Sequence, residues 1–257
     1  GIQEDFLPGE APPVRQPWDK GPPDPLPPRA LIRAWWDSDQ QGLPSRVSVG
    51  LHAVDGLGEA RWVPVMDEDW AAAWRAQCQR VLVEDGLAVA PPWKAQSGDL
   101  IIEPGMAFGT GEHPTTLSCL RAITRYAKPA ERCLDVGTGS GVLAIAAARF
   151  GMDAWGIDID PESIDAALGN AKRNDVTIRA DQTLLHHVDG TFELVVANLF
   201  AEVIVSLSKD LKRVCGSHLA VAGVLTDRAD SVVTSLSPMK VLSRIEEGDW
   251  THLEFGW

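Results

Sequence analysis

The sequence predicts an α/β protein. Its core is a doubly wound sheet of seven strands with an antiparallel last strand, and a small α+β module precedes it. Three observations carry this. From Glu131 onward, short apolar segments alternate with helix-like runs. The stretch Leu134-Asp135-Val136-Gly137-Thr138-Gly139-Ser140-Gly141 joins a strand to a helix through three glycines, and Asp158 ends the next strand 21 positions after Gly137. The last two apolar stretches read as an antiparallel pair turned through Glu247-Gly248-Asp249.

With 257 residues and 45% apolar content, the chain suits one large or two modest domains. A net charge of −13 and a pI near 4.8 argue against direct nucleic-acid binding, because phosphates call for Lys and Arg. The same charge is compatible with a basic protein substrate steered by the field, although by itself it favours solubility alone. Cys78, Cys119, Cys133 and Cys215 are scattered, without C-x-x-C or metal-type spacing, and read as reduced thiols of a cytoplasmic protein. No metal is expected. No run reaches transmembrane length and no signal peptide is visible, so no membrane partner is expected.

Residues 1–28 hold nine of the eighteen prolines, which forbid regular helix and central strand there. A short strand is expected near Gly1–Phe6, then an irregular segment. Ala30–Asp37 reads as a strand or short helix, and Arg46–His52 and Glu59–Val65 as strands. Residues 1–65 thus form a proline-rich small domain, expected to be truncated at its start. Asp67–Val83 reads as a helix with Asp67 as N-cap and Trp70 and Trp74 stacked at i, i+4. Residues 66–84 then serve as a linker strut, and 85–257 form the second domain. Strands are expected at Val81–Val89 and Leu100–Glu103, and a helix at Thr115–Ala127 with Pro114 in its first position.

The doubly wound part follows in order. Strands are read at Cys133–Val136, Trp155–Ile159, Thr177–Ala180, Phe192–Ala197, Ser217–Val224, Val241–Glu246 and Trp250–Phe255. Helices are read at Val142–Phe150, Pro161–Asn174, Ala201–Val214 and Arg228–Leu236.

The glycine turn carries the first chemical signal. A dinucleotide fingerprint needs G-x-G-x-x-G; here Val142 stands at the third place and the glycine falls one early, at Gly141. That spacing after Leu-Asp resembles motif I of the class I S-adenosylmethionine methyltransferases. In that family the loop passes beneath the cofactor, and an acid at the position of Asp158 holds the ribose hydroxyls by charge-assisted hydrogen bonds.

A second signal is Glu103-Pro104-Gly105-Met106-Ala107-Phe108-Gly109-Thr110-Gly111-Glu112-His113-Pro114-Thr115-Thr116. Its glycines surround two large apolar side chains, the composition of a loop that folds over a ligand and excludes water. Joined with Gly156–Pro161, Asn170–Asn174 and Val195-Val196-Ala197-Asn198-Leu199 in this order, it resembles the PrmA family, the methyltransferases of ribosomal large-subunit protein eleven. The resemblance is close over residues 67–257 and vague before.

It implies a ferredoxin-like amino-terminal domain that recognises the substrate, a linker helix, and a class I methyltransferase domain. The implied reaction moves methyl groups from S-adenosyl-L-methionine to lysine ε-amines and to the α-amine of the ribosomal protein. On matching positions, Thr116, Gly137, Gly139, Asp158 and Asn198 contact the cofactor and Phe108 covers it. Asp135 holds the cofactor's amino group directly or through water. The family's first strand and helix find no counterpart here.

An amine nucleophile must be neutral, whereas free lysine titrates near roughly 10.4. A desolvated slot favours the neutral amine, and alignment supplies much of the remaining rate. Positioning rather than a dedicated base is therefore expected, with Asn198 and the carbonyls beside it orienting the amine. Many amino methyltransferases carry Asn-Pro-Pro-Tyr at this point; this chain has Asn198-Leu199-Phe200. His113 has two readings, a proton acceptor near the amine or a loop histidine that holds backbone. Trp250 reads as an aromatic packed on the sheet edge, and His186 and His187 as surface residues. Two alternatives stay open: a methyltransferase of another protein lysine, and a non-catalytic S-adenosylmethionine-binding interaction module.

Overall fold

The computed structural model describes residues 2–5, 31–34, 78–84, 86–104, 111 and 113–257. The chain divides into two compact units, Gly1–Met66 and Asp67–Trp257. In the first, β1 (Ile2–Asp5) and β2 (Leu31–Ala34) form an antiparallel pair with Ile2 opposite Ala34. This matches the strand expected near Gly1–Phe6, and of Ala30–Asp37, read as strand or short helix, Leu31–Ala34 is strand. The strands expected at Arg46–His52 and Glu59–Val65, the pair Trp70 and Trp74, and Phe108 lie outside the described residues.

The second unit opens with a three-stranded sheet of β3 (Val81–Glu84), β4 (Leu87–Ala90) and β5 (Leu100–Ile101). Here the sequence reading needs two corrections. The helix expected to run to Val83 does not: Cys78–Arg80 lie in no regular element and the next four residues are strand. The single strand expected over Val81–Val89 is a hairpin. Gly86, at φ 82°, takes the turn at no steric cost. Arg80 fixes this start by a bidentate hydrogen bond to the buried Asp99, at 2.7 and 2.8 Å.

The remainder follows the doubly wound pattern. Helix α1 (Pro114–Tyr126) leads to β6 (Arg132–Val136), α2 (Val142–Arg149), β7 (Asp153–Ile157), α3 (Pro161–Arg173) and β8 (Arg179–Asp181). Then come β9 (Phe192–Asn198), α4 (Ala201–Val214), β10 (Cys215–Leu225), α5 (Ala229–Leu236), β11 (Lys240–Glu247) and β12 (Trp250–Gly256). Their seven-stranded sheet has the order β11-β12-β10-β9-β6-β7-β8. The five strands β8, β7, β6, β9 and β10 run parallel, and β12 is antiparallel to both of its neighbours. Crossovers depart in opposite directions from β6, so a crevice opens at the carboxyl ends of β6 and β9. That is the switch point where open α/β sheets bind ligands.

Period-two alternation divides the core between the faces. Cys133, Leu194, Val196, Ala220 and Ala222 pack under α1, α2 and α3. Leu134, Val136, Val195, Ala197, Leu219 and Val221 pack under α4 and α5. Phe192, Leu194, Ile204, Leu211 and Leu219 have under 2% exposure, each worth about 1.5–3 kcal/mol of burial. The four cysteines are buried. Among the described residues, no helix is long and apolar enough to cross a membrane.

Candidate functional site

The glycine turn is built around Asp135. In β6 this residue alternates with Leu134 and Val136 and so points to the α2 face, fully buried. Its Oδ2 accepts the Thr138 hydroxyl at 2.7 Å and the Ala144 N–H at 3.2 Å, which ties strand end, turn and helix together. Its Oδ1 is buried without a partner. Burial lifts this carboxyl from the ordinary range to about 7, against the pull of its two donors, and the charge of Asp158 adds to the rise. A buried acid with one oxygen unengaged suits a cationic ligand group that returns the missing donor and charge.

At Gly137 and Gly141 the backbone of the turn leaves no room for a side chain. Gly137 and Thr138 both donate N–H to the Ile157 carbonyl, at 2.8 and 3.0 Å. A Cβ on Gly137, at φ 76°, falls 2.6 Å from Leu199 Cδ2. On Gly141, at φ 83°, it falls 2.8 Å from the Ala167 Cα in α3. The displaced third glycine thus lets α2 pack closely on α3.

Asp158, half-buried past the end of β7, is aimed by two backbone donors. Its Oδ2 accepts Gly139 N–H at 2.9 Å and its Oδ1 accepts Asp160 N–H at 3.1 Å. Each oxygen keeps a further lone pair, which is what a vicinal diol requires.

The other wall comes from β9 and α1. Asn198 ends β9, and its Nδ2 donates to the Thr116 hydroxyl at 3.3 Å. Thr116 is fully buried in the first turn of α1. Leu199 N–H bonds the Ala222 carbonyl, and a Cβ on Gly223 falls 2.6 Å from the Leu199 carbonyl oxygen. The chain after Asn198 is therefore pinned against β10. His113 caps α1: its Nδ1 lies 2.8 Å from the Thr115 hydroxyl and accepts the Thr115 N–H at 3.4 Å. Its ring meets Trp250 edge-on, with centroids 5.1 Å apart. Burial lowers the His113 pKa, so its neutral, hydrogen-bond-accepting form is favoured.

The sequence reading gave no role to Asn170 and Asn174, although both stand in the motif it singled out. The Asn170 amide donates to the Ser140 carbonyl at 2.9 Å, and its Oδ1 accepts Glu103 N–H at 2.9 Å. Asn174 exchanges two hydrogen bonds with the backbone of Ile101, at 2.8 and 2.7 Å. Asn170 of α3 and Asn174 at its carboxyl cap thus clamp residues 101–103, where the Gly-rich segment begins, to the glycine turn. At its far end Gly111, at φ 90°, closes on Val89, which a Cβ would approach at 2.6 Å. Their spacing, four apart on one helix face, was the available signal.

Of the expected site residues, the structure brings Asp135, Gly137, Gly139 and Asp158 together at one end of the crevice. Thr116 and Asn198 meet at the other. His113 and Trp250 lie beside the end of α1.

Comparison with known proteins agrees with this arrangement. A family model described as "Ribosomal protein L11 methyltransferase (PrmA)" matches residues 26–256. A protein of that name from Thermus thermophilus is 41% identical over 211 residues, covering 79% of this chain and 83% of the relative. Another from Geobacter sulfurreducens is 41% identical over 244 residues, covering 88% and 81%. The crystal structure of a ribosomal protein L11 methylase from Lactobacillus delbrueckii subsp. bulgaricus superposes with a TM-score of 0.64 at 30% identity. It covers 69% of this chain and 97% of that one. The chain belongs to the ribosomal protein L11 methyltransferase family.

Proposed function

We propose that the protein transfers methyl groups from S-adenosyl-L-methionine to lysine ε-amines and the N-terminal α-amine of ribosomal large-subunit protein eleven. The observation that carries this is the pairing of the Asp135–Asp158 glycine turn with the Asn198–Thr116 wall across one crevice. The matched relatives bear the name ribosomal protein L11 methyltransferase.

The residues fit the cofactor on their own chemistry. Asp158 presents two oriented oxygens to a ribose diol, and Asp135 keeps one buried oxygen for an ammonium. Gly137 and Gly139 let the chain pass beneath without side chains in the way. Bound there, S-adenosylmethionine supplies a methyl on a sulfonium that leaves as a neutral thioether, so no acid is needed at the leaving group.

What remains for the protein is to hold a neutral amine in line. The Asn198 Nδ2 donates to Thr116, and its carbonyl oxygen, beside Gly223, serves as the acceptor for an amine N–H. Rigid placement of this kind lowers the barrier by removing orientational freedom before reaction. His113 serves the site through its cap, holding the end of α1 against Trp250. The family resemblance assigns the covering of the cofactor to Phe108 and its neighbouring glycines. Residues 1–65 recognise the ribosomal protein and the segment after them links it to the catalytic unit, within which β3 already lies. The reduced, buried cysteines fit a cytoplasmic setting, and the acidic charge fits a basic protein partner rather than nucleic acid or membrane. Labelled cofactor incubated with the purified ribosomal protein tests this reading. Label on its amines supports it, whereas cofactor binding without transfer refutes it.

A further inference from the structure

The carboxyl end of β10 carries a bulge that the reaction as described leaves without a role. Between the pairs Val221–Leu253 and Val224–Thr251, β10 has one residue more than β12. Pairing with β9 stops at the same place, at Ala222 opposite Asn198. Gly223 sits in the bulge at φ 79°, a left-handed conformation that glycine adopts without steric penalty. Its neighbours Ala222 and Val224 are fully buried, whereas Gly223 is partly exposed, as are Asn198 and Leu199 across from it.

Two oxygens exclude a side chain at this point. A Cβ on Gly223 would fall 2.6 Å from the Leu199 carbonyl oxygen and 3.1 Å from Asn198 Oδ1. Neither oxygen accepts a hydrogen bond among the described residues. What bonds at this corner are the donors, Asn198 Nδ2 to Thr116 and Leu199 N–H to the Ala222 carbonyl. Because both oxygens lie within 3.1 Å of one point, a single nitrogen can bond both at the ordinary N–H···O distance of about 2.7–3.2 Å. Leu199 also reaches the other half of the site, since its Cδ2 would stand 2.6 Å from a Cβ on Gly137 in the glycine turn. One residue thus packs its side chain on the cofactor floor and holds its carbonyl beside Asn198.

We infer that Gly223 is a positioning residue for methyl transfer. Having no Cβ, it lets the Leu199 carbonyl stand beside Asn198 Oδ1, and the two oxygens together take the two N–H bonds of a neutral primary amine. The inference rests on the proposed amine methylation and adds to it a residue of β10, a strand outside every motif of the sequence. With both N–H bonds held, the nitrogen lone pair points away from the two oxygens. It forms the nitrogen–carbon bond while the carbon–sulfur pair returns to sulfur, and the product is a methylammonium. Thr116 fixes one acceptor and Ala222 the other before the substrate arrives. Displacing such a pair by about 1 Å costs on the order of 100-fold in rate.

Gly223→Ala tests this, with Gly86→Ala as its match. Gly86 has nearly the same backbone, φ 82°, but nothing lies within 4 Å of an added Cβ, so its variant reports strain alone. Both variants should lose stability in thermal melts. With ribosomal large-subunit protein eleven as substrate, Gly223→Ala should lower kcat about 100-fold or more, with the KM for that protein and the cofactor Kd each within about threefold. Cofactor stoichiometry by calorimetry should stay near that of the wild type, which excludes a merely unfolded fraction. Gly86→Ala should keep kcat within about twofold. An unchanged kcat in Gly223→Ala overturns the inference. So does a cofactor Kd that weakens in step with kcat, because Leu199 would then act only on the glycine turn. A measurement on the intact wild type stands apart from the variants. With carbon-13 in the leucine carbonyls and S-adenosylhomocysteine bound, adding the ribosomal protein should move the Leu199 signal downfield; a signal that stays in place overturns the inference. Absence of amine methylation by the wild type refutes the proposed reaction itself, whatever the variants show.

Discussion

Replacing Asp135 with Asn should make the ligand-free protein more stable and bind its cofactor more weakly. In the folded chain this carboxyl titrates at about 7 because it is buried, against 3.8 for an unconstrained aspartate. Its folded value is raised, so the folded state keeps a proton that the unfolded state releases. Stability therefore falls as pH rises from about 4 to about 7 and is level above that. At ~1.4 kcal/mol per pH unit, the cost reaches about 4 kcal/mol at neutral pH. Asparagine carries no charge to desolvate, and its carbonyl can still accept from Thr138 and Ala144. Its amide then takes the partnerless position, which returns about 1–3 kcal/mol of that gain. The net expectation is a stabilisation of about 1–3 kcal/mol at pH 8 that turns into a destabilisation of similar size near pH 4, read by denaturant titration at both values. Calorimetry should show cofactor affinity down by about 10- to 100-fold, the worth of one charged hydrogen bond. A variant less stable than wild type at pH 8, or with unchanged cofactor affinity, refutes the reasoning.

Asp158→Ala removes both diol acceptors and the partner of Gly139 N–H; cofactor affinity should drop by about 100-fold or more by calorimetry, and an unchanged Kd removes Asp158 from the ribose role. For Asn198→Ala, kcat should fall further than cofactor affinity, because the carboxamide orients the amine; equal losses in steady-state kinetics and calorimetry would leave it a binding residue only. Two glycines should respond with opposite sign in thermal melts. Gly141→Ala pushes a Cβ to 2.8 Å from α3 backbone at φ 83°, costing about 2–4 kcal/mol. Gly169→Ala meets only the flexible Arg173 Nη1 at 3.5 Å inside α3, gaining about 0.5–1 kcal/mol.

The doubly wound half was legible because its local signals agree with one another. The apolar runs of β6, β7 and β9 are buried on both faces, and Pro161 and Asp160 mark the start of α3, where Asp160 accepts Glu162 N–H at 3.0 Å. The order Gly137, Gly141, Asp158 gave the cofactor class, because a backbone that must admit a ligand leaves a fixed glycine pattern. At Val81–Val89 the reading failed: the pair Asp85-Gly86, the sequence pattern of a tight hairpin, sits inside the nine residues read as one strand. The pairing of Arg125 with the buried Glu254 was invisible because the two stand 129 positions apart, and only the folded sheet joins them. The roles of Asn170 and Asn174 were not legible, because their partners at Ser140, Ile101 and Glu103 are backbone groups that no side-chain motif records.

The central claim is methyl transfer to amines of a ribosomal protein, and mass spectrometry of that protein tests it most directly. After incubation with S-adenosylmethionine and this enzyme, ribosomal large-subunit protein eleven should gain methyl increments at lysine side chains and at its amino terminus. Asn198→Ala should remove nearly all of them. An unmodified ribosomal protein in the presence of enzyme that binds the cofactor would contradict the account.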